Sequence, residues 1–135
     1  MYALSVKQPW AALLVAGHKV VEIRTWLTRR RGRILIHTGK VPDRRTRVWD
    51  LVASDPALRA AADVTGGVVG VGELVDCLTY STPEAFDADR ARHLNDAGSF
   101  RPPRMYGFAF ARVRPVPFLP CPGSTFFFPV DGFIL

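Results

Sequence analysis

Between Gly66 and Tyr80 the chain reads GGVVGVGELVDCLTY, and this stretch constrains the fold more than any other. Its valines suit a pleated, packed surface, and its glycines permit bulges or the close approach of a second backbone, so it predicts one long central strand. Shorter strands are expected over Met1–Val6, from Val20 to Trp26, over Arg33–Thr38 and over Tyr106–Val113. Strands this apolar leave edges that invite aggregation unless the sheet closes on itself. The expected fold is therefore α+β, a mixed barrel-like sheet with peripheral helices. The 135 residues suffice for one compact domain, 1–135, and are too few for two independent cores.

The helices are read from caps and spacing. Pro9 pre-sets the backbone for a first helical position behind Gln8 as N-cap, and Trp10, Leu13 and Leu14 recur at the i, i+3, i+4 spacing of a buried stripe. Gly17 ends that helix, because glycine takes a left-handed C-cap without penalty. After a polar arm, Val41 to Arg47, a helical stretch runs to about Ala62 and is expected to break near Asp55 and Pro56. TPEAFDADRARHLNDAG (82–98) predicts a helix with Thr82 as N-cap, Pro83 at the first position and Gly98 as the stop. RPVPFLPCPG (114–123) reads as a turn-laden connector, and STFFFPVDGFIL (124–135) as aromatic core material.

Several function classes drop out. Cys77, Cys121, His18, His37 and His93 are scattered without ligand spacing, so no metal is expected, and the two cysteines are expected to be reduced. GVG lacks a complete dinucleotide-binding fingerprint, and HTGK lacks the first glycine and the final hydroxyl residue of a phosphate loop, so no nucleotide cofactor is implied. No apolar run approaches the roughly 20 residues of a membrane-spanning helix, and no export signal is read at the N-terminus; a soluble, cytoplasmic monomer is the expectation.

Charge is distributed unevenly. Residues 1–50 hold eleven Lys and Arg against three acidic residues, a net of +8, so the remainder carries −2 of the total +6. Such an excess attracts polyanions by releasing the counterions of a phosphate backbone; an arginine-rich solvated surface is the plainer alternative.

The sharpest cluster is GHKVVEIRTW (17–26). With period two from Val20, Glu22, Arg24 and Trp26 share a face, and Lys19 sits at the turn feeding the strand. Two readings are open. Glu22 paired with Arg24 or Lys19 is an internal ion pair bracing the sheet. Alternatively the group lines a pocket for a planar polar ligand such as a nucleobase, with Arg24 and Gln8 on its edge, Trp26 as a stacking face and Glu22 accepting from an exocyclic amine.

The segment LSVKQPWAALLVAGHKVVEIRTWLTRRRGRILIHTGK (4–40) resembles the opening of ASCH domains, named for homology to activating signal cointegrator 1, within the PUA-like superfamily of RNA-associated β-barrels. It carries in order the Q-P-W helix start, G-x-K-x-x-E-x-R, a tryptophan, and R-G-R before an apolar strand. GGVVGVGELVDCLTY and YGFAFARVRPVPFLPCPGSTFFF are similar to later strands of the family. The resemblance implies a PUA-like barrel with a cleft lined by Lys19, Glu22 and Arg24, binding RNA or single-stranded nucleic acid, with DNA as an alternative. The expected binding set is Lys7, Gln8, Trp10, Lys19, Glu22, Arg24, Trp26, Arg29, Arg30, Arg31, Arg33 and Lys40. Some ASCH-like proteins hydrolyse acetylated cytidine and others are associated with ribonuclease activity, so Lys19 and Glu22 are the catalytic candidates if the chain is a hydrolase. Glu22, however, stands where the amidohydrolases have a threonine. A third reading is a protein-interaction adaptor using the aromatic C-terminus.

Overall fold

The computed structural model describes residues 1–132. In chain order the elements are β1 (Tyr2–Ser5), α1 (Trp10–Val15), β2 (Val21–Arg24), β3 (Gly32–Thr38), α2 (Trp49–Ala53), α3 (Pro56–Ala62), β4 (Gly67–Tyr80), α4 (Pro83–Ala88), α5 (Arg90–His93), β5 (Met105–Pro120) and β6 (Phe128–Pro129). The six strands form one mixed sheet in the order β2-β5-β4-β3-β1-β6. Among the described residues only the β1–β3 ladder is parallel, and the chain between those strands supplies the crossover that a parallel pair requires.

The long strand predicted from the valine–glycine run is β4, and it is central. Its ladder with β5 shifts register at Val68/Gly70, Val71/Glu73 and Leu74/Asp76. Bulges increase the local twist of a strand, so β4 and β5 coil rather than lie flat. Coiling brings the sheet's two ends together, but the expected closed barrel is not what forms. β2 and β6 terminate the ladder, and the seam between them is filled by side chains: the Trp26 ring, just past β2, meets Phe126 at 4.8 Å and Phe127 at 5.6 Å, edge to face. An indole wedged there holds the strands beyond the 4.7–4.9 Å at which backbones pair. One polar link also crosses the seam, the Arg24 Nη2 donating to the Ser5 carbonyl at 2.8 Å.

Other expectations need correction. The predicted proline-rich connector is the outer half of β5, pairing Pro115 with Gly70 and Pro120 with Gly67. β2 covers only Tyr106–Ala109, so β5 beyond that point has a free edge where a missing N–H costs no ladder bond. The helix predicted to run to Gly98 splits at Asp89, whose carboxylate is taken by Tyr80 and Arg92, and it ends on Leu94 in the left-handed region at φ 61°. The break at Asp55 is as expected: its carboxylate caps α3 by accepting from Ala57 and Leu58.

α1 is a single buried plug. Trp10 to Leu14 are all buried, and Leu13 and Leu14 pack with Leu4, Ile34, Ile36, Leu74 and Phe108 beneath the sheet. Each such leucine contributes about 1.5–3 kcal/mol by leaving water. Gly17, at φ 83°, then reverses the chain into the turn that presents Lys19. Cys77 and Cys121 are free thiols. No helix among the described residues is long and apolar enough to cross a membrane.

Candidate functional site

Of the two readings of the 17–26 cluster, the internal ion pair is what the geometry shows, and a cleft opens at its outer end. Lys19 is only 1% exposed. Its ammonium donates to the His93 carbonyl at 2.7 Å, lies 3.3 Å from Glu22 Oε1 and sits 4.5 Å from the centroid of the Trp10 ring. Burial pushes its pKa below the ordinary lysine value, and the Glu22 carboxylate opposes that shift. Glu22 is also buried, and its second oxygen accepts from Arg24 Nη2 at 2.9 Å. Lys19, Glu22 and Arg24 therefore form a charge ladder running from the interior to the surface.

At its outer end is a cleft of about 720 Å³ whose lining includes Ser5, Lys7, Trp10, Glu22, Arg24 and Trp26. Loops that the sequence did not flag complete it: Asp43 and Arg45 from the polar arm, Asn95, Asp96, Ser99 and Arg101 beyond α5, and Ser124 and Thr125 before β6. Four cations line it, Lys7, Arg24, Arg45 and Arg101, against three carboxylates, Glu22, Asp43 and Asp96, which is a net of +1. Two of those carboxylates hold the walls: Asp43 accepts from Trp10 Nε1 at 3.1 Å, and Asp96 from the Arg47 backbone at 3.4 Å. Arg24 borders the cleft with 19% of its side chain exposed, while its Nε is buried and, among the described residues, has no hydrogen-bond partner.

Behind the wall, His37 bonds the side chain of Ser5, one of the lining residues. Its Nε2 faces the Cys121 carbonyl at 2.9 Å, and since a carbonyl only accepts, Nε2 carries the proton and Nδ1 accepts from Ser5 Oγ at 3.0 Å. Gly123 closes over this pair so tightly that a Cβ there would lie 2.7 Å from the imidazole Cε1.

The twelve residues expected to bind are not gathered in one place. Lys7, Trp10, Glu22, Arg24 and Trp26 border the cleft. Lys19 lies beneath it, so as an acid–base partner of Glu22 it has no place on the cleft wall. Gln8 is corrected outright. It is 1% exposed, its amide donates to the Ala61 and Val64 carbonyls, and its oxygen accepts from the Ala12 backbone, so it ties α1 to α3. It also serves the start of α1 from one residue before the cap, which is Pro9. Lys40 lines a separate hollow with Arg44 and Trp49. The arginine loop is divided. Arg30 stacks over Tyr2 at 4.0 Å and approaches Phe127, which in turn touches Trp26. Arg31 leans to Asp76 at 3.8 Å, and Arg33 pairs in register with Glu73, while Arg29 is exposed. In the aromatic tail Phe128 and Val130 are buried, Phe127 stacks on Phe108 and Phe126 is exposed; 133–135 lie outside the described residues.

Residues 4–115 match the family model for the ASCH domain. The chain is 43% identical over 86 residues, 58% of its own length and 14% of the relative's, to activating signal cointegrator 1 of Mus musculus, with the same figures for that of Homo sapiens. It thus spans about one seventh of the length of these curated relatives. The crystal structure of ASCH from Zymomonas mobilis is similar at a TM-score of 0.61 and 13% identity, covering 97% of this chain and 87% of that one. A mutant form of the Zymomonas mobilis protein gives a TM-score of 0.59 at 14% identity, covering 88% and 72%. At such identities the likeness concerns the fold, a mixed α+β architecture of the PUA-like type.

Proposed function

The chain belongs to the ASCH domain family, and from that premise we propose that it binds single-stranded nucleic acid, RNA in the first instance, with one base held in the cleft between Trp26 and Arg24. The observation that carries this reading is the Arg24 guanidinium: it is fixed through Nη2 by Glu22 and the Ser5 carbonyl, borders the cleft, and stays part-exposed there. A planar base offers ring nitrogens and carbonyl oxygens to such a donor and a π-face to the neighbouring indole.

The charge balance divides the labour. A lining of net +1 is poorly matched to a run of phosphates, whereas a polar, uncharged heterocycle suits its mixture of cations and carboxylates. Phosphate attraction falls instead to the exposed Arg29, Arg30 and Lys7 around it.

Titration of a labelled single-stranded RNA at several salt concentrations tests the proposal. Affinity is expected to fall with salt, and Arg24→Gln and Trp26→Ala are each expected to weaken binding by about 1–3 kcal/mol while the fold persists by circular dichroism. Trp26→Phe, which keeps packing at the seam, should lose less. Unchanged affinity in folded Arg24→Gln would overturn the assignment of the cleft.

A further inference from the structure

A second hollow, of about 560 Å³, lies on the other side of the polar arm, lined by Lys40, Pro42, Arg44, Thr46, Trp49 and Asp63 among others. Thr46 belongs to both cavities, and the arm alternates between them: Lys40, Pro42 and Arg44 face the hollow, while Asp43 and Arg45 face the cleft. The partition is clamped at one residue. The Asp43 carboxylate accepts from Trp10 Nε1 on the cleft side at 3.1 Å, its carbonyl accepts from Trp49 Nε1 on the hollow side at 2.5 Å, and its N–H donates to the Gln8 carbonyl at 2.7 Å. Each cavity thus has an indole hung on the same aspartate and cations beside it.

We propose that this hollow is a second nucleotide subsite, so that a bound strand straddles the Asp43 partition with one base in the cleft and a neighbouring nucleotide against Trp49, its phosphate held by Lys40 and Arg44. The inference rests on the reading of the cleft as a base-binding site. Three observations carry it beyond that reading. Lys40 and Arg44 are exposed and, among the described residues, have no carboxylate within ion-pair distance, so both charges are free for a ligand. The volume falls in the range of pockets that hold small molecules, larger than a bare anion needs. An indole wall beside two cations, with Asp63 leaving the lining at net +1, matches one nucleotide with a single phosphate better than it matches a run of phosphates. The three contacts on Asp43 keep the partition in place, so little ordering cost falls on binding.

The full chain, its Lys40→Ala/Arg44→Ala double variant and Arg24→Gln are titrated with a single-stranded RNA octamer and with the uncharged nucleoside of the same base. Both substituted side chains in the double variant are exposed, so its fold is expected to survive. The double variant should bind the octamer about tenfold more weakly, with its log–log salt slope smaller by about 1.4, and should bind the nucleoside, which has no phosphate for Lys40 and Arg44 to hold, as the unaltered chain does. Arg24→Gln should weaken both ligands. Indole fluorescence should be quenched further by the octamer than by the nucleoside, and that extra quenching should vanish in Trp49→Phe. Unchanged octamer affinity in the double variant, or an equal loss for both ligands, overturns the second subsite while leaving the cleft intact. If the unaltered chain binds neither ligand, or Arg24→Gln alters neither affinity, the reading of the cleft falls and the subsite with it.

Discussion

Two cation-bearing stretches, 17–26 and 28–33, lie almost end to end in the chain, and the fold uses them in opposite ways. In the first, the glycine turn and the strand period stack Lys19, Glu22 and Arg24 so that each charge meets an opposite one, and two of the three are buried. In the second, no acidic residue lies within the loop, so its arginines reach outward: one covers aromatic rings, one leans to Asp76, one has Glu73 opposite in the ladder, and Arg29 stands exposed. The difference is one of carboxylate supply. A cation with an acid at two or three residues' distance on the same face can be taken inside; without one it must remain in water or find a ligand.

The contrast predicts its own largest effect. Among the described residues Glu22 is the one anion touching both Lys19 and Arg24, so Glu22→Ala leaves a buried ammonium unpaired and should destabilise the fold by about 3–5 kcal/mol in urea denaturation. Lys19→Met should cost distinctly less, because Glu22 retains Arg24. Equal costs for the two variants would mean that Glu22 is not the shared hub, and the division into an internal ladder and an external loop would lose its basis.

The fold was more legible in the sequence than the site was. Pro9, Gly17 and the apolar spacing between them placed α1, and Gly66–Tyr80 placed the central strand, because these are local signals. The open seam was not legible: it depends on Trp26 meeting Phe126 and Phe127, a hundred residues away in sequence, and nothing in the period of either segment announces the contact. The prolines of 115–120 concealed a strand because edge position is a tertiary property. For the site, the period-two rule put Glu22 and Arg24 on one face, yet it could not tell that Lys19 would point inward to the His93 carbonyl. Asp43, Arg45, Asp96 and Arg101 come from loops with no motif of their own, and only the folded chain gathers them. Gln8 was misread because an amide is equally fit to bind a base or to satisfy the free carbonyls at the end of α3.

The inner ladder also predicts a pH effect of intermediate size. His93 is fully buried, with Nε2 held at 2.7 Å by the Phe86 carbonyl and Nδ1 accepting from the Asn95 backbone at 3.0 Å, a pairing that fixes the neutral ring. Burial pushes its pKa below the ordinary 6.5; the Phe86 carbonyl opposes this, Lys19 adds to it, and Asp89 and Asp87 pull the other way. The unfolded chain therefore takes up a proton at pH values where the native one does not. His93's contribution is complete above about pH 6.5 and declines as pH falls from there toward its lower native value, since stability rises with pH wherever the unfolded state binds more protons. Denaturation midpoints between pH 5 and 7.5 should show this decline in the unaltered chain and a flatter profile in His93→Gln, measured against the same carboxylate background. An identical slope in both would remove His93 from the account.

The smallest stability effect belongs to the outer stretch, and there the comparison can be inverted. Arg29→Ala and Arg30→Ala remove exposed guanidiniums whose only close partners are aromatic faces at Arg30, so each should move the unfolding free energy by no more than about 0.5 kcal/mol. If this outer stretch receives phosphates, each should nonetheless lower the salt slope of RNA binding by about 0.7, the increment for one contact with a single strand. Arg31→Ala should do less, because Asp76 already lies 3.8 Å from its guanidinium and competes for it. A residue that barely matters to folding but changes the salt slope is a ligand contact; one that changes neither is a solvated surface charge. Should Arg29, Arg30 and Arg31 all leave the slope untouched, the arginine loop has no part in binding, and the cleft must hold its base without it.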